Sequence, residues 1–250
     1  MNTLFVGKNF VLLPEVDSTN TAANALLESN AVDGTAIRAI SQTKGRGQLG
    51  SNWETEAGQN LTISLILYPQ FLASKQIFVL NKMVACALRD TVTEFLPNEE
   101  VLLKWPNDIL INRKKVAGIL IENNLEQGRF KSSIIGIGLN VNQVDFDSKV
   151  HGKATSMCLE GGTNFDIEVV MQRLFENLEA RYLALRAGRT EQVERDYLAN
   201  LYGYQEDSLA EINGEKKTVH IAGVAADGRL ALQEAGKLYF YGLKEIRFLL

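Results

Sequence analysis

Apolar residues recur along this chain in two rhythms. Within residues 74–95, Ile77, Leu80, Val84, Leu88 and Val92 fall three or four apart, which predicts a long buried helix. Shorter helices are predicted over 21–29, behind the capping types Asp17, Ser18, Thr19 and Asn20, and over 166–186 and 190–202. Ala187 and Gly188 stop the 166–186 helix. Short apolar runs predict strands at 37–41, 61–68, 101–105, 109–111, 116–122 and 130–141. Pro106 ends one of them, and 109–111 with 116–122 reads as a hairpin with a basic tip at 112–115. Gly136 and Gly138 inside a strand signal close approach by a ligand or another backbone. Past residue 204 only short strands follow, at 208–212, 217–224, 229–233 and 237–241, with turns at Gly214, Gly228 and Gly236. That spacing predicts a small β-barrel or curved sheet, 204–250, packed on a larger α+β domain, 1–203.

Composition narrows the class. The 250 residues are 46% apolar and 22% charged, which is ample for a globular core. A net charge of −4 argues against nucleic acid as a general partner. Residues 1–9 lack the features of a signal peptide, and no apolar run approaches the roughly 18 residues of a membrane span, so a cytoplasmic protein without a membrane segment is expected. Cys86 and Cys158 have no metal-ligand spacing, and His151 and His220 stand far apart, so neither a zinc site nor a histidine relay is expected.

The polar segments carry the candidate chemistry. Residues 41–53 hold Gly45, Gly47 and Gly50 beside Lys44 and Arg46. Such glycines let successive backbone N–H groups form an anion-binding concavity. The spacing is formally G-x-G-x-x-G, but a dinucleotide site needs a strand before it and a helix after it. Here the strand 61–68 follows, so the dinucleotide reading fails. An anion cradle and a plain glycine-rich hairpin both stay open.

A second cluster is Lys104-Trp-Pro-Asn-Asp108, followed by Lys115-Val-Ala-Gly118. An asparagine such as Asn107 can read an adenine edge with its donor and acceptor. Lys115 can neutralise charge developing on a phosphoryl oxygen, and Gly118 lets backbone approach a substrate carbonyl. Taken alone, the run Arg113, Lys114, Lys115 also reads as a solvated turn, and 17–20 as an ordinary helix cap.

In order, the chain carries Asp17-Ser-Thr-Asn20, Gln42 with Gly45-Arg-Gly47, Trp53, Lys104-Trp-Pro-Asn-Asp108, Lys115-Val-Ala-Gly-Ile-Leu-Ile-Glu122 and Gly136-Ile-Gly-Leu-Asn140. Together these resemble the biotin–protein ligases (biotin–[acetyl-CoA-carboxylase] ligases) over about residues 3–200. The resemblance implies an α+β catalytic domain like that of class II aminoacyl-tRNA synthetases, with a mixed sheet, and an SH3-like C-terminal barrel. It implies that biotin and ATP give biotinyl-5′-adenylate, which acylates one lysine of a biotin carboxyl carrier protein. Mg2+ would arrive with ATP, and no metal ligands are assigned. The resemblance makes Lys115, Arg46 and Asp108 the catalytic set. It gives biotin to Ser18, Thr19, Asn20, Gln42, Gly45, Arg46, Gly47, Gln48, Lys115 and Gly118, and the nucleotide to Trp53, Lys104, Asn107 and Asn140. The protein would act as a monomer or homodimer.

Two departures stand out. Many members carry a second arginine after Gly-Arg-Gly, where this chain has Gln48, with Leu49 and Ser51 at the next basic positions. Some members begin with a DNA-binding winged helix, whereas this sequence opens on the catalytic domain, which leads to no expected repressor role. The rival in the same superfamily is a lipoate–protein ligase or octanoyltransferase. Its acyl tail would need an apolar tunnel, whereas a ureido ring needs polar partners such as Ser18, Thr19 and Gln42.

Overall fold

A computed structural model describes residues 2–147, 152–212, 214–234, 236–243 and 245–248. In chain order the elements are β1 (Phe10–Val16), α1 (Thr19–Glu28), β2 (Ala36–Gln42), β3 (Leu61–Leu67), α2 (Ile77–Phe95), β4 (Val101–Lys104), β5 (Asp108–Ile111), β6 (Lys114–Glu126) and β7 (Arg129–Leu139). There follow α3 (Met157–Gly161), α4 (Ile167–Arg186), α5 (Thr190–Ala199), β8 (Asp207–Ile212), β9 (Glu215–Val224), β10 (Leu230–Glu234), β11 (Lys237–Tyr241) and β12 (Ile246–Phe248).

The first seven strands form one mixed sheet in the order β1-β2-β3-β7-β6-β5-β4. Its two faces have different work, and strand alternation divides it between them. Along β3, Leu61, Ile63, Leu65 and Leu67 join the main core under α2 and α4. The intervening Thr62 and Ser64 are buried polar residues, and Ile66 joins a small cluster under α1 with Ala23, Ile37 and Ile134. Along β7, Ile135, Ile137 and Leu139 enter the main core, while Gly136 and Gly138 alternate with them. The face away from α2 and α4 is therefore apolar beneath α1, and polar or bare elsewhere. A cavity forms on the polar and bare part.

The last five strands make an antiparallel sheet, β11-β10-β9-β8-β12, the small C-terminal domain. Its apolar face is continuous with the main core through Val219, Ile221, Leu230 and Leu232. Lys82 on α2 is almost wholly buried where the two parts meet. It donates to Glu194 at 2.5 Å and to the Val224 carbonyl at 3.1 Å, and lies over the Phe78 and Tyr197 rings.

Several boundaries differ from expectation for local reasons. β1 was not predicted, because Pro14 interrupts its pattern; it sits at the sheet edge, where a missing N–H is tolerated. The helix expected over 190–202 ends at Ala199, since Tyr202 N–H donates to the Leu103 carbonyl and Leu103 N–H to that of Asn200. The basic tip is shorter than four residues. Asn112 (φ 49°) and Arg113 (φ 67°) make the turn, while Lys114 and Lys115 already belong to β6. His151 lies outside the described residues, and His220 is paired with Asp207 at the surface.

Candidate active site

A cavity of about 250 Å³ opens on the far face of the large sheet, between α1 and the loop 43–53. Its inner end is polar. Gln42 Oε1 accepts from Thr19 N at 2.7 Å and from Thr19 Oγ1 at 3.2 Å. The Ser64 hydroxyl lies 2.6 Å from Asn20 Oδ1 and 2.8 Å from Thr19 Oγ1. Asn20 Nδ2 donates to Glu122 at 2.8 Å. Ser18 caps α1 by position, yet its hydroxyl makes no capping bond and the residue lines the cavity. The wall is thus a pre-set row of side chains with hydrogen-bonding capacity to spare. Ser64 and Thr62 were missed by sequence reasoning; their signal was a polar pair at alternate positions in an otherwise apolar strand.

The glycine-rich loop closes one side. Thr43 and Lys44 side chains both bond Asp17 (2.7 and 3.0 Å), and these contacts hold its carboxyl below the usual carboxylate range. Trp53 N–H donates to Gly45 O, and Gly47 N–H to Ser51 O, so the loop is a folded excursion with Gln48–Gly50 at its tip. A Cβ on Gly45 would lie 2.2 Å from Trp53 O, so only glycine fits there. Arg46 lines the cavity but pairs with Glu122 at 2.9 Å. Gly47 and Gln48 also line it; Gly45 lies within the loop instead.

Trp53 folds back from the loop onto the sheet. Its indole rests where Gly118 and Gly138 are register partners on β6 and β7. A Cβ on Gly138 would come within 2.3 Å of the indole, and one on Gly118 within 3.2 Å. Likewise a Cβ on Gly136 would strike Asn20 Oδ1 at 2.3 Å. These strand glycines are the seats of named side chains.

Lys115 reaches the cavity because β6 is bulged. Ile109 faces Ala117 but Leu110 faces Lys115, which leaves Val116 as the extra residue. Val116 and Ala117 both enter the core, and Lys115 turns to the face of Gly118. Its ammonium sits 2.6 Å from Asp108 Oδ1 and 5.5 Å from the Trp53 ring centroid. Asn107 lines the same cavity and is strapped to β6, donating through Nδ2 to Ile119 O at 2.7 Å.

Behind Trp53 lies a second cavity of about 340 Å³, which shares Asn52, Trp53 and Lys115 with the first and adds Asn140. Asn140 Nδ2 donates to Thr155 O at 3.0 Å, while its buried Oδ1 and the Trp53 Nε1 have no protein partner. Asn107 and Asn140 therefore face different cavities. Lys104 lines neither; it stands opposite Asp108 at the end of β4. Burial pushes its ammonium below the usual lysine range, Asp108 works against that shift, and Lys115 adds to it. Among the described residues, no group of three His, Cys, Asp or Glu is placed to hold a metal.

Residues 12–140, which contain most of this site, match the biotin/lipoate A/B protein ligase family. The chain belongs to that family. Within it, the chain is 36% identical over 184 residues to the bifunctional ligase/repressor BirA of Bacillus spizizenii, covering 73% of this chain and 56% of that protein. It is 31% identical over 230 residues to the biotin–[acetyl-CoA-carboxylase] ligase of Mycobacterium tuberculosis, covering 90% and 84% of the two. The chain thus spans little more than half the length of the Bacillus relative. Among solved structures, biotin protein ligase from Aquifex aeolicus in complex with biotin and ATP superposes with a TM-score of 0.80 at 26% identity, over 97% of this chain and 99% of that one. A family that joins biotin and lipoate enzymes leaves the acyl substrate to be read from the cavity.

Proposed function

We propose that this protein joins biotin to a specific lysine of a biotin carboxyl carrier protein, using ATP and passing through biotinyl-5′-adenylate. The observation that carries the choice of biotin is the polar inner end of the first cavity. Ser18, Thr19, Asn20, Gln42 and Thr62 line it. A ureido ring can use the hydrogen-bonding capacity these groups have to spare, whereas a lipoyl or octanoyl tail would displace water from them and offer no donor or acceptor in return. The Mycobacterium relative, named for biotin and acetyl-CoA carboxylase, supports the same choice.

In this reading biotin lies with its ring at the polar end and its carboxylate toward Gly45, Arg46, Gly47, Gln48 and Lys115, with Gly118 backbone beside it. ATP occupies the second cavity, against Trp53 and Asn140; Asn107, which lines the first cavity, and Lys104, which lines neither, stand away from that nucleotide position. Asn140 Oδ1, unpartnered here, would accept from an adenine amine. The carboxylate oxygen attacks the α-phosphorus and pyrophosphate leaves. Two anions meet in that step, so Arg46 must exchange Glu122 for the ligand, and Lys115 must stabilise the charge on phosphorus. In the second step the acceptor lysine amine attacks the acyl carbon and AMP leaves. Asp108 is the carboxylate next to that point, holding Lys115 and receiving the incoming amine. Mg2+ enters this reading with ATP, and no residue is assigned to hold it.

The same reading divides the chain into residues 1–203, catalytic, and 204–250. It calls for no nucleic acid or membrane, and for a monomer or homodimer. Both cysteines are free and buried, which suits a reducing cytoplasm. Mass spectrometry of a biotin carboxyl carrier domain, after incubation with MgATP and either biotin or lipoate, tests the proposal. A biotinyl adduct on one lysine is expected; a lipoyl adduct without a biotinyl one refutes it.

A further inference from the structure

One edge of the C-terminal sheet carries features the chemistry above does not use. β11 is a terminal strand, and among the described residues no strand pairs with its outer side. Its consecutive Leu238, Tyr239 and Phe240 are 55%, 43% and 43% exposed. Natural proteins avoid long apolar edges unless something pairs there. Just beyond the strand, exposed Leu243 enters the wall of a cleft of about 300 Å³, whose other walls include Phe78, Trp105, Pro106 and Ile121. Asn81, a residue only 6% exposed, also lines it, and its buried Oδ1 has no partner. A buried acceptor left unpaired costs on the order of 1–3 kcal/mol, which an occupant bringing an N–H would recover. Gln48, at the tip of the glycine-rich loop, lines both this cleft and the first cavity.

We propose that the β11 edge and this cleft form the docking surface for the acceptor protein. A strand of the acceptor extends the sheet along β11, and a neighbouring apolar side chain enters the cleft while a backbone N–H donates to Asn81 Oδ1. The proposal rests on the ligase reading. It names the acceptor rather than a second copy of this chain, because only the acceptor has to arrive at the loop tip. Gln48 joins the cleft to the reacting end of the cavity.

The test measures the two half-reactions apart. Adenylate formation is followed by pyrophosphate release from biotin and MgATP, and transfer by labelling of a biotin carboxyl carrier domain. The variants are Leu238→Glu, Phe240→Glu and Asn81→Leu in the full chain. Adenylate formation is expected within about twofold of wild type, with the KM for the carrier domain raised at least about tenfold and kcat kept, equivalent to about 1.4 kcal/mol. Melting curves check all three variants, since Asn81 is buried and the Phe240 ring carries the guanidinium of Arg229, another residue of the cleft wall. Unchanged KM in the two exposed variants overturns the proposal. So does a dimer-to-monomer shift in sedimentation with unchanged KM, which would assign the edge to a second copy. A wild-type protein that forms no adenylate overturns the ligase reading itself, and the docking surface falls with it.

Discussion

Gly138→Ala is the most direct probe of how the two cavities are kept apart. The added methyl would lie 2.3 Å from Trp53 Cε2 and 2.6 Å from both Cζ2 and Nε1. Ordinary carbon contact is about 3.5 Å, so the indole must retreat by at least about 1.2 Å. Its seat is otherwise filled by Gly118 and by Lys115, whose ammonium is 5.5 Å from the ring centroid. Overpacking of this kind costs about 1–3 kcal/mol. If that cost is met when nucleotide binds, the KM for ATP rises about 5- to 150-fold. Gly136→Ala is the mirror experiment: its methyl would strike Asn20 Oδ1 at 2.3 Å, on the polar end of the first cavity. Steady-state pyrophosphate release gives KM for both substrates, and Trp53 fluorescence, read against Trp105, reports the displaced indole. The expected result is a crossover, with Gly138→Ala weakening ATP and Gly136→Ala weakening biotin. Both variants shifting the same KM, or neither shifting any, would refute the division of the cavities at Trp53.

Other outcomes follow from the same geometry. Lys115→Ala should lower the adenylation rate about 10²–10³-fold, as loss of a preorganised charge does, yet cost stability no more than about 1 kcal/mol, because its pair with Asp108 is partly solvent-exposed. Near-normal turnover at an unchanged Tm would remove Lys115 from the chemistry. Burial pushes the Cys86 thiol up to about 12 from an ordinary 9.0, and Tyr182 and Tyr197 are raised by burial as well. The folded state then holds these protons longer than the unfolded chain. Their contribution is intact below about pH 9 and lost as pH climbs toward 12. Urea midpoints should fall from pH 9 upward, with the first part of the fall absent in Cys86→Ala; a midpoint that rises over that range would contradict the sign.

Much of the site was legible because its residues sit at element ends and in polar loops, where packing does not dictate identity. Taken alone, the run 17–20 reads as a helix cap; its place in the ordered motif set pointed to a ligand, and in the fold Ser18 makes no capping bond and lines the cavity. Gly136 and Gly138 announced a close approach, but nothing local said that Asn20 and Trp53 are what approach. Ser64 stayed hidden, because a serine inside an apolar strand has no meaning until the strand's second face is known. Likewise, the sequence could not tell that Asn107 and Asn140 face different cavities, since that depends on where Trp53 lies between them.

By itself the sequence determined the helices with strong 3.6-residue rhythm, most strands, the change of pattern after residue 204 and the set of polar residues available for chemistry. These follow from local propensity and from which side chains can be buried. The tertiary structure decided which face each residue serves. Strict alternation along β6 would send Lys115 into the core with Ala117 and Ile119; the extra residue at Val116 reverses that and aims the lysine at Asp108 and Trp53. A bulge is a property of two paired strands rather than of one, so its effect on Lys115 exists only once β5 and β6 have met.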